Sequence, residues 1–190
     1  MIKAAEAVLK GGVVVYPTDT VYGIGCSPYN EKAISRVIEI KARKEKPLPV
    51  LCSSVEEARK LVKFPRRAVS LAQKFWPGPL TIVSIIIDKR LPRILSIGTG
   101  KLGVRVPDHE CALALIELAG GKLVGTSANK SGSKSPTSAE EVKKVLPPDY
   151  DILLDGGSTQ LRVESTVIEI VDDKITVLRE KAISKKALGL

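Results

Sequence analysis

Small polar and cationic side chains recur at the ends of apolar runs in this sequence. After Val13-Val-Val15 comes Tyr16-Pro-Thr-Asp-Thr-Val-Tyr-Gly-Ile-Gly25. A buried strand followed by a proline, three small polar residues and two glycines describes a chain that leaves a sheet and turns with its backbone open to a ligand. Thr18, Asp19 and Thr20 can hydrogen-bond a small polar molecule, and Gly23 and Gly25 would let it approach the main chain. An ordinary strand-to-turn transition has the same composition, so this stretch by itself leaves both readings open. Lys41-Ala-Arg-Lys-Glu-Lys46, ahead of Pro47-Leu-Pro49, sets four cations in six residues. Such a loop can meet several phosphate oxygens at once, or it can be a basic surface complementing a helix dipole. In Leu102-Gly-Val-Arg-Val106 an arginine interrupts a strand, and burying it demands an anion or an acidic partner. Thr126 to Thr137 is rich in hydroxyl, amide and ammonium groups, which suits carboxylate, hydroxyl and phosphate recognition. Glu164-Ser-Thr166 opens another strand, and Arg179 ends the one after it.

Other chemistries find little support. Gly23-Ile-Gly-Cys-Ser-Pro28 lacks the third glycine of a dinucleotide fingerprint, and no loop ends in Gly-Lys-Ser or Gly-Lys-Thr. One histidine, His109, and three scattered cysteines offer no zinc spacing, so any metal would arrive with a nucleotide as magnesium. Cys111 follows His109 by two positions, which points the two apart on a helix and disfavours a dyad. The odd, dispersed cysteines indicate reduced thiols and a cytoplasmic protein. No apolar run approaches the length of a membrane span. A net charge of +9 favours an anionic partner without choosing one.

The elements that must position these residues follow from periodicity. With 190 residues, 44% of them hydrophobic, one domain spanning 1–190 is expected. Ile2, Ala5, Val8 and Leu9 make a helical stripe stopped at Gly11-Gly12. Asn30 can cap a helix carrying Ala33, Ile34, Val37 and Ile38. Ser54-Val-Glu-Glu57 and Ser138-Ala-Glu-Glu141 are capping boxes. A helix from Pro65 ends at Trp76-Pro-Gly-Pro79, where Trp76 either packs under the turn or stacks on a base. Thr81 to Ile87 reads as a central strand covered on both faces. Asp108 is expected to cap a helix running through Ala119. Val167 to Ile170 should pair with Ile175 to Leu178 through Asp172-Asp173.

Taken together, Pro17-Thr-Asp-Thr-Val-Tyr-Gly23, the Lys41/Arg43 pair before Lys46-Pro-Leu48, Trp76-Pro-Gly-Pro-Leu80, Gly103-Val-Arg-Val-Pro-Asp-His109, Thr126-Ser-Ala-Asn129 and Glu164-Ser-Thr-Val167 resemble the YrdC-type threonylcarbamoyl-AMP synthases. The match runs in order over nearly the whole chain, and six strings in register make it specific. Longer relatives carry a further carboxyl-terminal domain, so this chain is similar to their catalytic domain alone. The resemblance implies an α+β, three-layer fold with a twisted mixed sheet flanked by helices and a basic concave groove. It implies formation of threonylcarbamoyl-AMP and pyrophosphate from L-threonine, bicarbonate or carbon dioxide, and ATP with Mg2+. That is the first step towards threonylcarbamoyladenosine in tRNA, with a tRNA-modifying transferase complex downstream.

By position, the resemblance gives threonine to Thr20, Arg105, Ser127 and Ser165, with Arg105 on its carboxylate. It gives the nucleotide and its phosphates to Arg43, Lys101, Asn129, Thr137 and Arg179, with Lys41 and Lys46 as phosphate neighbours. No covalent or acid-base catalyst is assigned, so catalysis would rest on positioning and charge neutralisation. Two departures stand out. Relatives commonly have Arg-Pro at the Arg43-Lys44 position and one more residue before Lys-Pro-Leu, and a histidine that some relatives carry near Leu51 is absent. Two other functions compete: a non-catalytic protein binding double-stranded or structured RNA, tRNA included, in the same groove, and a carbamoyl-adenylate enzyme with another acceptor.

Overall fold

β-Branched runs and glycine-bounded turns build two mixed sheets with helices packed on them. The computed structural model describes residues 1–42 and 46–190. The smaller sheet joins β1 (Val14–Tyr16), β2 (Gly23–Gly25), β7 (Thr126–Ser127) and β8 (Ile152–Leu153) in the order β7-β2-β1-β8. The larger one joins β3 (Val50–Cys52), β4 (Leu80–Ile85), β5 (Lys101–Arg105), β6 (Lys122–Val124), β9 (Thr166–Val171) and β10 (Lys174–Arg179) in the order β10-β9-β4-β5-β3-β6. The expected mixed-sheet fold is therefore present, with its strands divided between two sheets. The helices are α1 (Ile2–Leu9), α2 (Glu31–Ile40), α3 (Val55–Arg59), α4 (Arg66–Phe75), α5 (Arg93–Ser96), α6 (Glu110–Leu118), α7 (Ala139–Val145) and α8 (Lys185–Leu188).

Side chains alternate between the two faces of the larger sheet, as strand geometry requires. Leu80 and Ile82 of β4, Leu102 and Val104 of β5, and Ile168 and Ile170 of β9 join one core with Ala68, Leu71 and Ala72 of α4. The alternate residues, Thr81, Val83, Lys101, Gly103, Arg105, Val167 and Glu169, line a cavity instead. β4 is central, as its composition suggests, but only its back is packed; its front is the cavity floor. A second core sets Ala4, Ala5 and Val8 of α1 and Ala112, Leu115 and Ile116 of α6 against Val14, Leu51 and Leu123.

Local signals are realised closely. The side chains of Asn30, Ser54 and Ser138 accept from the backbone N–H of Ala33, Glu57 and Glu141 at 3.0, 3.2 and 3.2 Å. Asp172 and Asp173 both take positive φ, 48° and 59°, closing the β9–β10 hairpin with the primed turn that fits strand twist. Asp108 does not cap α6; the N-cap position is His109, without a side-chain bond. Trp76 packs: its indole N–H donates to the Leu80 carbonyl at 2.6 Å and its ring meets Phe64 edge-on. Among the described residues, no helix is long and apolar enough to cross a membrane.

All three cysteines are free thiols. Burial pushes both Cys26 and Cys52 up to about 12, so neither forms a thiolate near neutrality. Alkylation of the native protein at about pH 8 is therefore expected to modify the half-buried Cys111 alone, with Cys26 and Cys52 reacting only in denaturant. Mass spectrometry of the labelled peptides checks this.

Candidate active site between the two sheets

The cavity encloses about 510 Å³, within the range of small-molecule sites and larger than a free amino acid needs. It opens where the chain passes from one sheet to the other. β6 runs into β7 through Gly125, where an added Cβ would lie 2.4 Å from the Leu51 side chain and 2.9 Å from the Tyr16 hydroxyl, so only glycine fits. Glycines 23 and 25 serve the same corner. A Cβ on Gly23 would meet the Tyr16 ring at 3.1 Å, and one on Gly25 the Val124 carbonyl oxygen at 1.6 Å. Their smallness makes room for Tyr16 and a neighbouring strand; Gly23 also lines the cavity, as expected, whereas Gly25 does not, a correction to the expectation that both admit a ligand.

The turn after β1 is fixed by its own hydroxyls. Thr18 Oγ1 accepts from the backbone N–H of Thr20 and Val21 at 3.2 and 3.3 Å and donates to the Val21 carbonyl at 2.7 Å. Thr20 is thereby held beside Arg105 of β5. The Arg105 guanidinium is 5% exposed and is met by an acid, Asp19, with which it forms a buried ion pair. Its Nε donates to the Gly78 carbonyl at 2.9 Å and its other terminal nitrogen to Thr20 Oγ1 at 3.0 Å. Burial lowers the Arg105 pKa and Asp19 opposes that shift; the group stays cationic because arginine starts so high.

Across the floor, Ser165 Oγ lies 2.9 Å from Thr81 Oγ1 and accepts from an Arg179 terminal nitrogen at 3.2 Å, while Arg179 Nε donates to the Ser165 carbonyl at 3.0 Å. Partial burial lowers the Arg179 pKa, against the pull of Glu164. Lys101 meets Glu169 at 2.8 Å. Burial alone would raise Glu164, but its bond from the Ser135 hydroxyl at 2.9 Å and nearby cations bring it below the usual carboxylate value. That bond ties the polar 126–137 loop to the cavity rim.

Six of the eleven residues that the resemblance assigns to threonine or the nucleotide therefore meet in one cavity: Thr20, Lys101, Arg105, Ser127, Ser165 and Arg179. The others stand elsewhere. Lys41 is buried, and its ammonium donates to the backbone carbonyls of Ser127 and, at 2.8 Å, Asn129, bracing the loop behind the cavity wall. The Asn129 amide donates to the Ser133 carbonyl at 2.5 Å, and the Thr137 hydroxyl donates to Glu141 at 3.1 Å, so neither lines the cavity. Lys46 is exposed next to Pro47, which does line it. Arg43 lies outside the described residues. Thr81 escaped the sequence reading, although two-residue periodicity puts it on the same face as Val83, a signal masked by the apolar run around it. Lys101 meets Glu169, Arg179 lies near Glu164 and Arg105 is paired with Asp19, so positive charge is largely offset around the site.

Comparison with known proteins places the chain in a family. The Sua5/YciO/YrdC family model, described as telomere recombination, matches residues 6–181. A threonylcarbamoyl-AMP synthase of Pyrococcus abyssi is 40% identical over 93% of this chain and 52% of its own length. One from Marinobacter nauticus is 34% identical over 88% of this chain and 90% of its own. The crystal structure of P. abyssi Sua5 complexed with L-threonine superposes with a TM-score of 0.91 at 39% identity, covering 96% of this chain and 54% of that one. The chain thus spans about half the length of the Pyrococcus relative, and it belongs to the Sua5/YciO/YrdC family.

Proposed function

We propose that the protein is a threonylcarbamoyl-AMP synthase, a nucleotidyltransferase acting on L-threonine, bicarbonate or carbon dioxide, and ATP. The observation that carries this reading is the buried Arg105 guanidinium, open to a cavity edged by the hydroxyl-bearing Thr20, Ser127 and Ser165. A fixed cation among neutral hydroxyls suits a small zwitterion with a carboxylate and a hydroxyl. The names of the relatives and the L-threonine in the Pyrococcus complex support it.

In this reading the neutral threonine amine adds to carbon dioxide with release of a proton to solvent, or to bicarbonate with loss of water, giving a carbamate. A carbamate oxygen attacks the α-phosphorus of ATP, and pyrophosphate leaves with the bonding electrons. Arg105 holds the threonine carboxylate, while Lys101 and Arg179 face the phosphates with Lys46 beside the lining Pro47; Arg43 is given to the phosphates by the family resemblance alone. Lys41, Asn129 and Thr137 act through the loop they brace. Catalysis is positioning and charge neutralisation. Magnesium arriving with the nucleotide would supply charge neutralisation for the departing pyrophosphate. The product would be consumed by a tRNA-modifying transferase complex.

Calorimetric titration with L-threonine, with and without ATP and magnesium and with serine as control, tests this. Threonine-selective binding strengthened by nucleotide, followed by bicarbonate-dependent pyrophosphate release, is the expected result. No threonine binding under any condition, with tight salt-sensitive binding of duplex RNA, would replace it by the RNA-binding reading.

A further inference from the structure

The proposed threonine site leaves one buried charge without a role, the carboxylate of Asp19. It is 2% exposed, is not among the cavity-lining residues, and sits behind the guanidinium rather than beside the substrate space. One oxygen accepts from Arg105; the other, Oδ2, is buried and has no partner among the described residues. Such a half-satisfied buried carboxylate is costly, and folding alone would be served as well by an apolar pair.

The geometry around Arg105 gives the cost a purpose. A guanidinium has five N–H donors in one plane. Three are fixed, by the Gly78 carbonyl on Nε, by Thr20 Oγ1 on one terminal nitrogen and by Asp19 on the other. The anchors are themselves rigid: the Thr18 hydroxyl locks the turn that carries Asp19 and Thr20, and the Asp19 carbonyl accepts from the Leu161 N–H at 2.9 Å. One N–H remains on each terminal nitrogen of a residue that lines the cavity, the paired donors a carboxylate takes bidentately.

We infer that Asp19 is a positioning residue: its charge keeps the Arg105 guanidinium locked in the orientation in which its two unused N–H groups receive the amino-acid carboxylate. The inference rests on the reading of this cavity as a threonine site. Without the charged anchor, a buried cation held by two neutral acceptors turns towards solvent in the cavity and loses its alignment.

The test compares Asp19→Asn and Asp19→Glu with the wild-type full chain. Asp19→Asn is expected to weaken threonine binding and raise its KM by about 10- to 100-fold, the effect of a misaligned binding group. The ATP affinity and the kcat at saturating threonine should stay within about twofold, a split that general loss of folding would not produce. Asp19→Glu, which keeps the charge, should recover most of the affinity. Threonine binding by folded Asp19→Asn that equals or exceeds wild type would overturn the inference. A second readout needs no substrate. The Arg105 side-chain nitrogen resonances, assigned through Arg105→Lys, should show restricted rotation in the wild type and free rotation in Asp19→Asn. Equal restriction in both would also overturn the inference. Absence of threonine binding in the wild type would instead sink the functional reading, and the nitrogen resonances would still decide whether Asp19 locks Arg105.

Discussion

Arg105→Met is expected to lower the free energy of unfolding by about 3–5 kcal/mol and to abolish measurable threonine binding. Two consequences add. In the proposed reading threonine loses its cation, and Asp19, 2% exposed with one oxygen already without a partner among the described residues, is left as an uncompensated buried carboxylate. In a chain of 190 residues this loss lowers Tm by roughly 6–20 °C. The double replacement Asp19→Asn, Arg105→Met should restore much of the stability and none of the binding, because removing both charges removes the desolvation cost along with the attraction. Denaturant unfolding paired with threonine titration separates the two effects. Equal stability of the single and double variants would mean that the two side chains do not form a buried pair.

Gly25→Ala is expected to destabilise by about 3 kcal/mol or more, the upper part of the range for overpacking. The new Cβ would lie 1.6 Å from the Val124 carbonyl oxygen and 2.8 Å from its carbon. Both are backbone atoms, so no rotamer change relieves the overlap. That carbonyl also accepts from the Tyr16 hydroxyl at 3.1 Å, and the Val124 N–H donates to the Cys26 carbonyl at 2.9 Å. Separating β2 from β6 therefore opens the seam between the two sheets, along the cavity wall. Gly157→Ala is the contrasting control. Nothing lies within 4 Å of its Cβ, and the substitution meets only the φ of +75°, worth about 1–2 kcal/mol. Urea midpoints measure both, and a Gly25→Ala protein no less stable than Gly157→Ala would show that the seam is looser than described.

What the chain itself determined is local. Asn30, Ser54 and Ser138 cap helices because each bond spans three residues, and Asp172-Asp173 turns a hairpin because its dihedrals suit the strands on either side. The family strings brought Thr20, Arg105, Ser127 and Ser165 into view together, and alternation along β4, β5 and β9 carries the face on which Thr81 was overlooked. Tertiary structure decided the rest. The sequence shows that a buried Arg105 needs an acid or an anion, but Asp19 is 86 residues away and becomes its partner only once the turn after β1 is laid against the end of β5. Lys41 reads as one cation in a basic loop, yet the carbonyls that take its ammonium belong to a loop 86 and 88 residues further on. The division into two sheets depends on a corner at Gly125 where Leu51 and Tyr16, from different strands, converge. Bonds within a turn of helix or a hairpin follow from dihedral preference and near neighbours, whereas a charge finds its counter-charge only after chain topology has fixed which distant strands lie side by side.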